Sequence, residues 1–128
     1  MNIYATPFEQ VSTIIEMINN EKSQSTHTDC VFFMIGDFNI DIRSNTIRSK
    51  NLSQYMETQK FHEITSKIRP QSRTIIDHIS TNLPISQCEI NFSNAYWSDH
   101  DIIYAMLDLS SSSNDGASMY MLHSPLLF

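Results

Sequence analysis

A chain of 128 residues lies in the usual single-domain range, and an apolar share of 41% supports a modest core. The formal charge of −6, from 14 acidic and 8 basic residues, excludes nucleic-acid binding through a general basic face. An acidic cleft accepts phosphate only when a cation sits in it.

No apolar run is long enough to span a bilayer, and the N-terminus lacks the basic-then-apolar pattern of a secretory signal. No membrane partner and an intracellular location, nuclear or cytoplasmic, are therefore expected. Cys30 and Cys88 each open an apolar run, with neither CxxC spacing nor a histidine at zinc-ligand distance, which predicts buried free thiols in a reducing compartment.

In chain order, Thr6-Pro7-Phe8-Glu9 has the form of a capping box, with Thr6 as N-cap and proline at the first helical position. Phe8, Val11, Ile14, Ile15 and Ile18 follow at helical spacing and predict an amphipathic helix over about 7–21. The polar residues 22–29 read as a loop leading into a strand at 30–35. Val31-Phe32-Phe33-Met34-Ile35 is apolar throughout, as in a strand buried on both faces, and Gly36 ends the run. Asp37 and Asn39 then stand two apart, with Phe38 facing the other way. That spacing sets a carboxylate beside a carboxamide at a strand end, where α/β sheets hold ligands. Read alone, the segment equally fits a strand followed by an Asx-rich turn.

Residues 43–49 read as a surface loop, and Leu52, Tyr55 and Met56 as a short helix reaching about Lys60. Phe61–Ile64 is a candidate short strand, and Arg69–Arg73 a connecting loop. Thr74–Ser80 is a second strand, apolar and β-branched except for Asp77 and His78 at its centre. A carboxylate in such a setting needs a specific partner. Neighbours on a strand face opposite ways, so only one of the two serves a given site, and His78 is read as a partly exposed rim imidazole. Cys88, Ile90 and Phe92 alternate with polar residues as a half-exposed strand. Ser98-Asp99-His100-Asp101 by itself is a polar turn, and Ile102–Leu107 a strand buried on both faces. Ser110–Gly116 reads as a linker, and Met119–Phe128 has no usable period. One domain over 1–109 and a tail over 110–128 are expected.

Three motifs therefore stand in order: Gly36-Asp37-Phe38-Asn39, then Ile76-Asp77-His78-Ile79 with Thr81-Asn82, then Ser98-Asp99-His100. Together they resemble the endonuclease/exonuclease/phosphatase superfamily of metal-dependent phosphodiesterases. The wording around them (GDFNID, IDHISTN, SDHDIIYAML) is similar to the endonuclease modules of non-LTR retrotransposons and their domesticated relatives, over about Tyr4–Leu109. The resemblance implies an α/β fold: the C-terminal half of a four-layered sandwich, with a central mixed or mostly antiparallel sheet and flanking helices.

It also implies roles. Asp37 would orient and help deprotonate the attacking water, and Asn39 would hold that water or a phosphate oxygen. His100 would hydrogen-bond the scissile phosphate, with Asp77 orienting its ring. Asp99 would serve the metal, directly or through water. The implied cofactor is Mg²⁺ (or Mn²⁺) and the implied partner DNA. Phosphodiester hydrolysis needs an in-line water, charge neutralisation and a hard cation with oxygen ligands, which this residue set suits.

The family's first half, which supplies the Glu on the principal metal, has no counterpart here. Glu9, Glu16 and Glu21 lie on or beside the first helix rather than after a buried strand. The expectation is a fragment that acts alone or with a complementing N-terminal half. The alternatives are a catalytically inactive remnant serving as an interaction module and a phosphatase on small phosphoesters.

Overall fold

The apolar run expected at 30–35 forms the strand β2 over Phe33–Asp37, displaced toward the C-terminus so that Gly36 and Asp37 lie inside it and all its residues are buried. The computed structural model describes residues 1–24, 31–68, 71, 73–94, 96–97, 102–108 and 119–123. The chain divides into two compact units, Met1–Asn82 and Leu83–Phe128.

The first unit contains, in order, β1 (Asn2–Tyr4), α1 (Val11–Gln24), β2, α2 (Ile47–Thr58), β3 (His62–Glu63), α3 (Thr65–Ile68) and β4 (Asp77–Thr81). Its sheet runs β1-β2-β4-β3, with β1 parallel to β2 and the other neighbours antiparallel. This is an α/β arrangement around a mixed sheet. Gly36 does not end the strand as expected. It pairs with Ile3 of β1, has φ +149°, and a Cβ there would lie 1.8 Å from the Ile3 carbonyl oxygen. Glycine is what lets β1 come close enough to pair.

The first helix starts later than the capping box predicts. Thr6–Glu9 closes on itself as a turn, with the Glu9 N–H donating to the Thr6 carbonyl at 3.0 Å and Thr6 Oγ1 to Glu9 Oε2 at 3.4 Å. Helical bonding then begins from the Gln10 carbonyl. Phe8 consequently leaves the buried stripe and is 94% exposed, while Val11, Ile14 and Ile18 keep it. By contrast α2 starts earlier than expected, because Thr46 caps it: its side chain accepts the Ser49 N–H at 3.2 Å. Ile14, Ile18, Met34, Phe38, Leu52 and Met56 belong to one buried cluster, so both long helices cover the same face of the sheet.

Register fixes what each face carries. Ile35 pairs with Ile79, Gly36 with His78 and Asp37 with Asp77. Phe33, Ile35 and Asp37 therefore share a face with Asp77, Ile79 and Thr81, and Met34, His78 and Ser80 lie on the helix-covered side.

The second unit opens with a 3-10 turn at Ile85–Gln87 and continues as β5 (Cys88–Ser93), β6 (Ile102–Asp108) and β7 (Met119–His123), an antiparallel sheet in that order. The alternation expected of β5 holds at Cys88–Ile90, where Ile90 is buried and Glu89 exposed, and breaks at Phe92, which is exposed on the same face as Ile90. Against the expectation of burial on both faces, β6 also alternates: Ile103 and Ala105 are buried, Ile102, Tyr104 and Met106 only partly. β7 forms where no element was expected. Its backbone pairs with β6 from Tyr104↔His123 to Asp108↔Met119, and ladder pairing does not require a hydrophobic period. The expected linker and the boundary near residue 109 lie outside the described residues, as does Cys30. Cys88 is a half-buried rather than buried free thiol, pushed up in pKa by burial, with Sγ donating to the Pro84 carbonyl at 3.7 Å. Among the described residues no helix is long and apolar enough to cross a membrane.

Candidate functional site

Antiparallel pairing of β2 with β4 sets the last residue of one strand against the first of the other, and both are aspartates: Asp37 and Asp77 are direct Cα partners. They project to the same face. Asp37 is 4% exposed and Asp77 half-buried. The backbone around them is pinned on both sides, by the Ala5 N–H to the Asp37 carbonyl at 2.8 Å and the Phe38 N–H to the Ile76 carbonyl at 3.0 Å. Like charges directly opposite on a ladder disfavour one another. A hard cation relieves that repulsion, and Mg²⁺ typically takes one or two protein carboxylates, so this pair suits it.

Asn39 reaches the site differently from the extended spacing expected of it. The strand ends at Asp37, whose Oδ1 accepts the Asn39 N–H at 2.8 Å, and Asn39 is left-handed with φ +48°. The turn reading of this segment therefore holds: an Asx turn folds the Asn39 backbone amide back onto the carboxylate. Asn39 Nδ2 donates to the Ala5 carbonyl at 2.6 Å, tying the turn to the end of β1 and directing the amide's offer to a water toward its carbonyl oxygen. A second Asx turn follows, unremarked in the sequence. Asp41 Oδ1 accepts the N–H groups of Arg43 and Ile75, both at 3.0 Å, and so joins the loop after β2 to the approach of β4.

His78 is a core residue, not a rim one. It is 1% exposed, stacked on Phe38 with ring centroids 4.7 Å apart and planes 12° apart. Its cross-strand partner is Gly36. Nε2 lies 2.8 Å from the Ile40 carbonyl and 3.0 Å from that of Ile75, which places the ring proton on Nε2. Burial holds its pKa below the ordinary 6.5, against smaller raising effects from those carbonyls, Glu63 and Asp77. The imidazole is neutral at pH 7.

The structure thus brings Asp37, Asn39 and Asp77 together. Asp99 and His100, the remaining expected site residues, lie outside the described residues. Among the described residues no group of three or more histidine, cysteine or acidic side chains is placed to hold a metal. Comparison with protein-family models and with curated proteins returned no match.

Proposed function

We propose that the chain is an endonuclease-type, metal-dependent phosphodiesterase acting on DNA, with its chemistry at the end of the sheet where β2 meets β4. The observation that carries this reading is the register pairing of Asp37 with Asp77, beside an Asx turn that holds Asn39 against the first carboxylate. Two facing carboxylates at a strand end suit a hard cation and a phosphate. The ordered Gly-Asp-Phe-Asn, Asp-His and Ser-Asp-His motifs point the same way. On this reading the chain adopts part of a four-layered sandwich and works inside the cell, alone or with a complementing N-terminal half.

The division of labour is the one that the motif resemblance implies. Asp37 accepts the proton of the attacking water and aligns it, aided by the Asn39 carboxamide. On the same resemblance His100 would donate to the scissile phosphate, and Asp77 would orient that imidazole. Asp99 would serve Mg²⁺ or Mn²⁺, directly or through water, and the bound metal would neutralise phosphate charge. A second reading, an inactive remnant serving as an interaction module, is favoured by Tyr96 and Trp97, which are 93% and 66% exposed and meet edge to face at 4.5 Å.

Nicking of supercoiled plasmid with Mg²⁺ tests the proposal. Activity should fall on the order of 10²-fold or more in Asp37→Ala and His100→Ala. Nicking that persists unchanged in both variants overturns the site, and a folded wild-type chain that does not nick favours the second reading.

A further inference from the structure

His78 lies behind the face that carries Asp37 and Asp77, because neighbours on β4 point to opposite sides. From there it reaches both segments that deliver the site. Its ring lies flat on Phe38, the residue between Asp37 and Asn39, with centroids 4.7 Å apart. Its Nε2 proton is shared by two carbonyls. That of Ile40, at 2.8 Å, directly follows Asn39, and that of Ile75, at 3.0 Å, shortly precedes Asp77. One side chain thus joins the chain leaving β2 to the chain entering β4.

Three further bonds close the same seam. The Phe38 N–H donates to the Ile76 carbonyl at 3.0 Å, the Ile42 N–H to the Ile75 carbonyl at 3.1 Å, and the Ile75 N–H to Asp41 Oδ1 at 3.0 Å. Of the two side chains in the seam, Asp41 is half-buried and His78 only 1% exposed. Water has poor access to replace the imidazole proton, so its loss strips two carbonyls of a buried donor. Asn39 is left-handed at φ +48°, a conformation that persists when its surroundings hold it, and the Ile40 carbonyl is the exit of that turn.

We infer that His78 is a positioning residue: from behind the sheet it locks the Asp37–Asn39 turn to the start of β4, and so sets how the two facing carboxylates stand to each other. Its effect on cleavage rests on the function proposed above, whereas the lock itself does not. Groups displaced by about 1 Å cost on the order of 10²-fold in rate, so loosening the seam should act on the chemical step rather than on DNA binding.

His78→Leu and His78→Phe fill the space without the donor, and His78→Gln returns an N–H at the ε position. In the full chain, amide exchange at Phe38 and Ile42 should speed on the order of tenfold or more in the two donor-free variants, stay unchanged in α1, and recover in His78→Gln. In plasmid nicking with Mg²⁺, kcat should fall on the order of tenfold or more in the donor-free variants, with KM within about twofold, and His78→Gln should restore it. In the wild type, long-range ¹H–¹⁵N spectra should place the ring proton on Nε2. A neutral ring protonated at Nδ1 overturns the inference whether or not any variant folds. Unchanged exchange at Phe38 and Ile42 overturns it, as does faster exchange with full nicking, or a His78→Gln chain as impaired as the donor-free ones. A wild type that does not nick, with exchange responding as stated, supports the lock and overturns the nuclease reading, so the two failures are distinct.

Discussion

Against Ile3, Gly36 allows a backbone approach that no side chain fits, since a Cβ there would lie 1.8 Å from the Ile3 carbonyl oxygen. Gly36→Ala should destabilise the first unit on the order of 3 kcal/mol through overlap with Ile3 and positive-φ strain, read as a lowered urea midpoint. His78 sets a second expectation. Its folded pKa lies below the ordinary 6.5, so the unfolded chain takes up the proton first as pH falls. The stability that neutral His78 contributes is complete above about pH 6.5 and is lost as pH drops through the window between 6.5 and the lower folded value. Urea midpoints measured from pH 8 to pH 5 should fall in the wild type and flatten in His78→Gln. At this scale the motif residues were readable and their surroundings were not. Asp37 stands at a strand end as its spacing implies, whereas Asp77, expected at the centre of a strand over 74–80, is instead the first residue of β4. The burial of His78, however, goes with the Phe38 ring stacked on it and the Ile40 and Ile75 carbonyls at its Nε2, which the alternation of a strand around His78 does not specify.

At the scale of elements, the periodic ones were legible and the boundaries were set by individual side chains. The buried stripe of α1 follows from its period, but its start depends on whether Thr6 caps a helix or closes a turn with Glu9. The start of α2 depends on Thr46, and β7 on a partner strand rather than on its own pattern. The short α3 has its own anchor: Thr65 Oγ1 accepts the Ile79 N–H at 2.7 Å, and both residues are buried. Thr65→Val keeps the shape and removes the acceptor. It should cost about 1–3 kcal/mol and speed amide exchange at Ile79, and Thr65→Ser should restore both.

For the whole molecule, the net charge of −6 sets how DNA can be met at all. Without a basic face, association should depend on the divalent ion rather than on counterion release. Fluorescence anisotropy with a labelled duplex should show little binding in EDTA and measurable binding with Mg²⁺. The Mg²⁺-dependent part should be lost in an Asp37→Asn, Asp77→Asn double variant. Equal binding in EDTA and Mg²⁺ would count against a cation-mediated contact. The α/β class was within reach of the sequence because buried strands and amphipathic helices alternate along it, and the mixed sheet was expected only from the motif resemblance. The division into Met1–Asn82 and Leu83–Phe128 was not, because no Pro-, Gly- or Ser-rich break marks residue 82.

Adjacent residues of β4 belong to opposite worlds, the carboxylate of Asp77 to one side and the imidazole of His78 to the other. Loss of a single codon between Ile76 and Ile79 would therefore do more than shorten the chain. Every side chain on one flank of the deletion would be turned over, carrying charge into oil and oil into the cleft. Loss of Asn45, between the Asx turn at Asp41 and the Thr46 cap, would turn over no strand face, so tolerance to in-frame indels should mark which part of this chain is scaffold and which is slack.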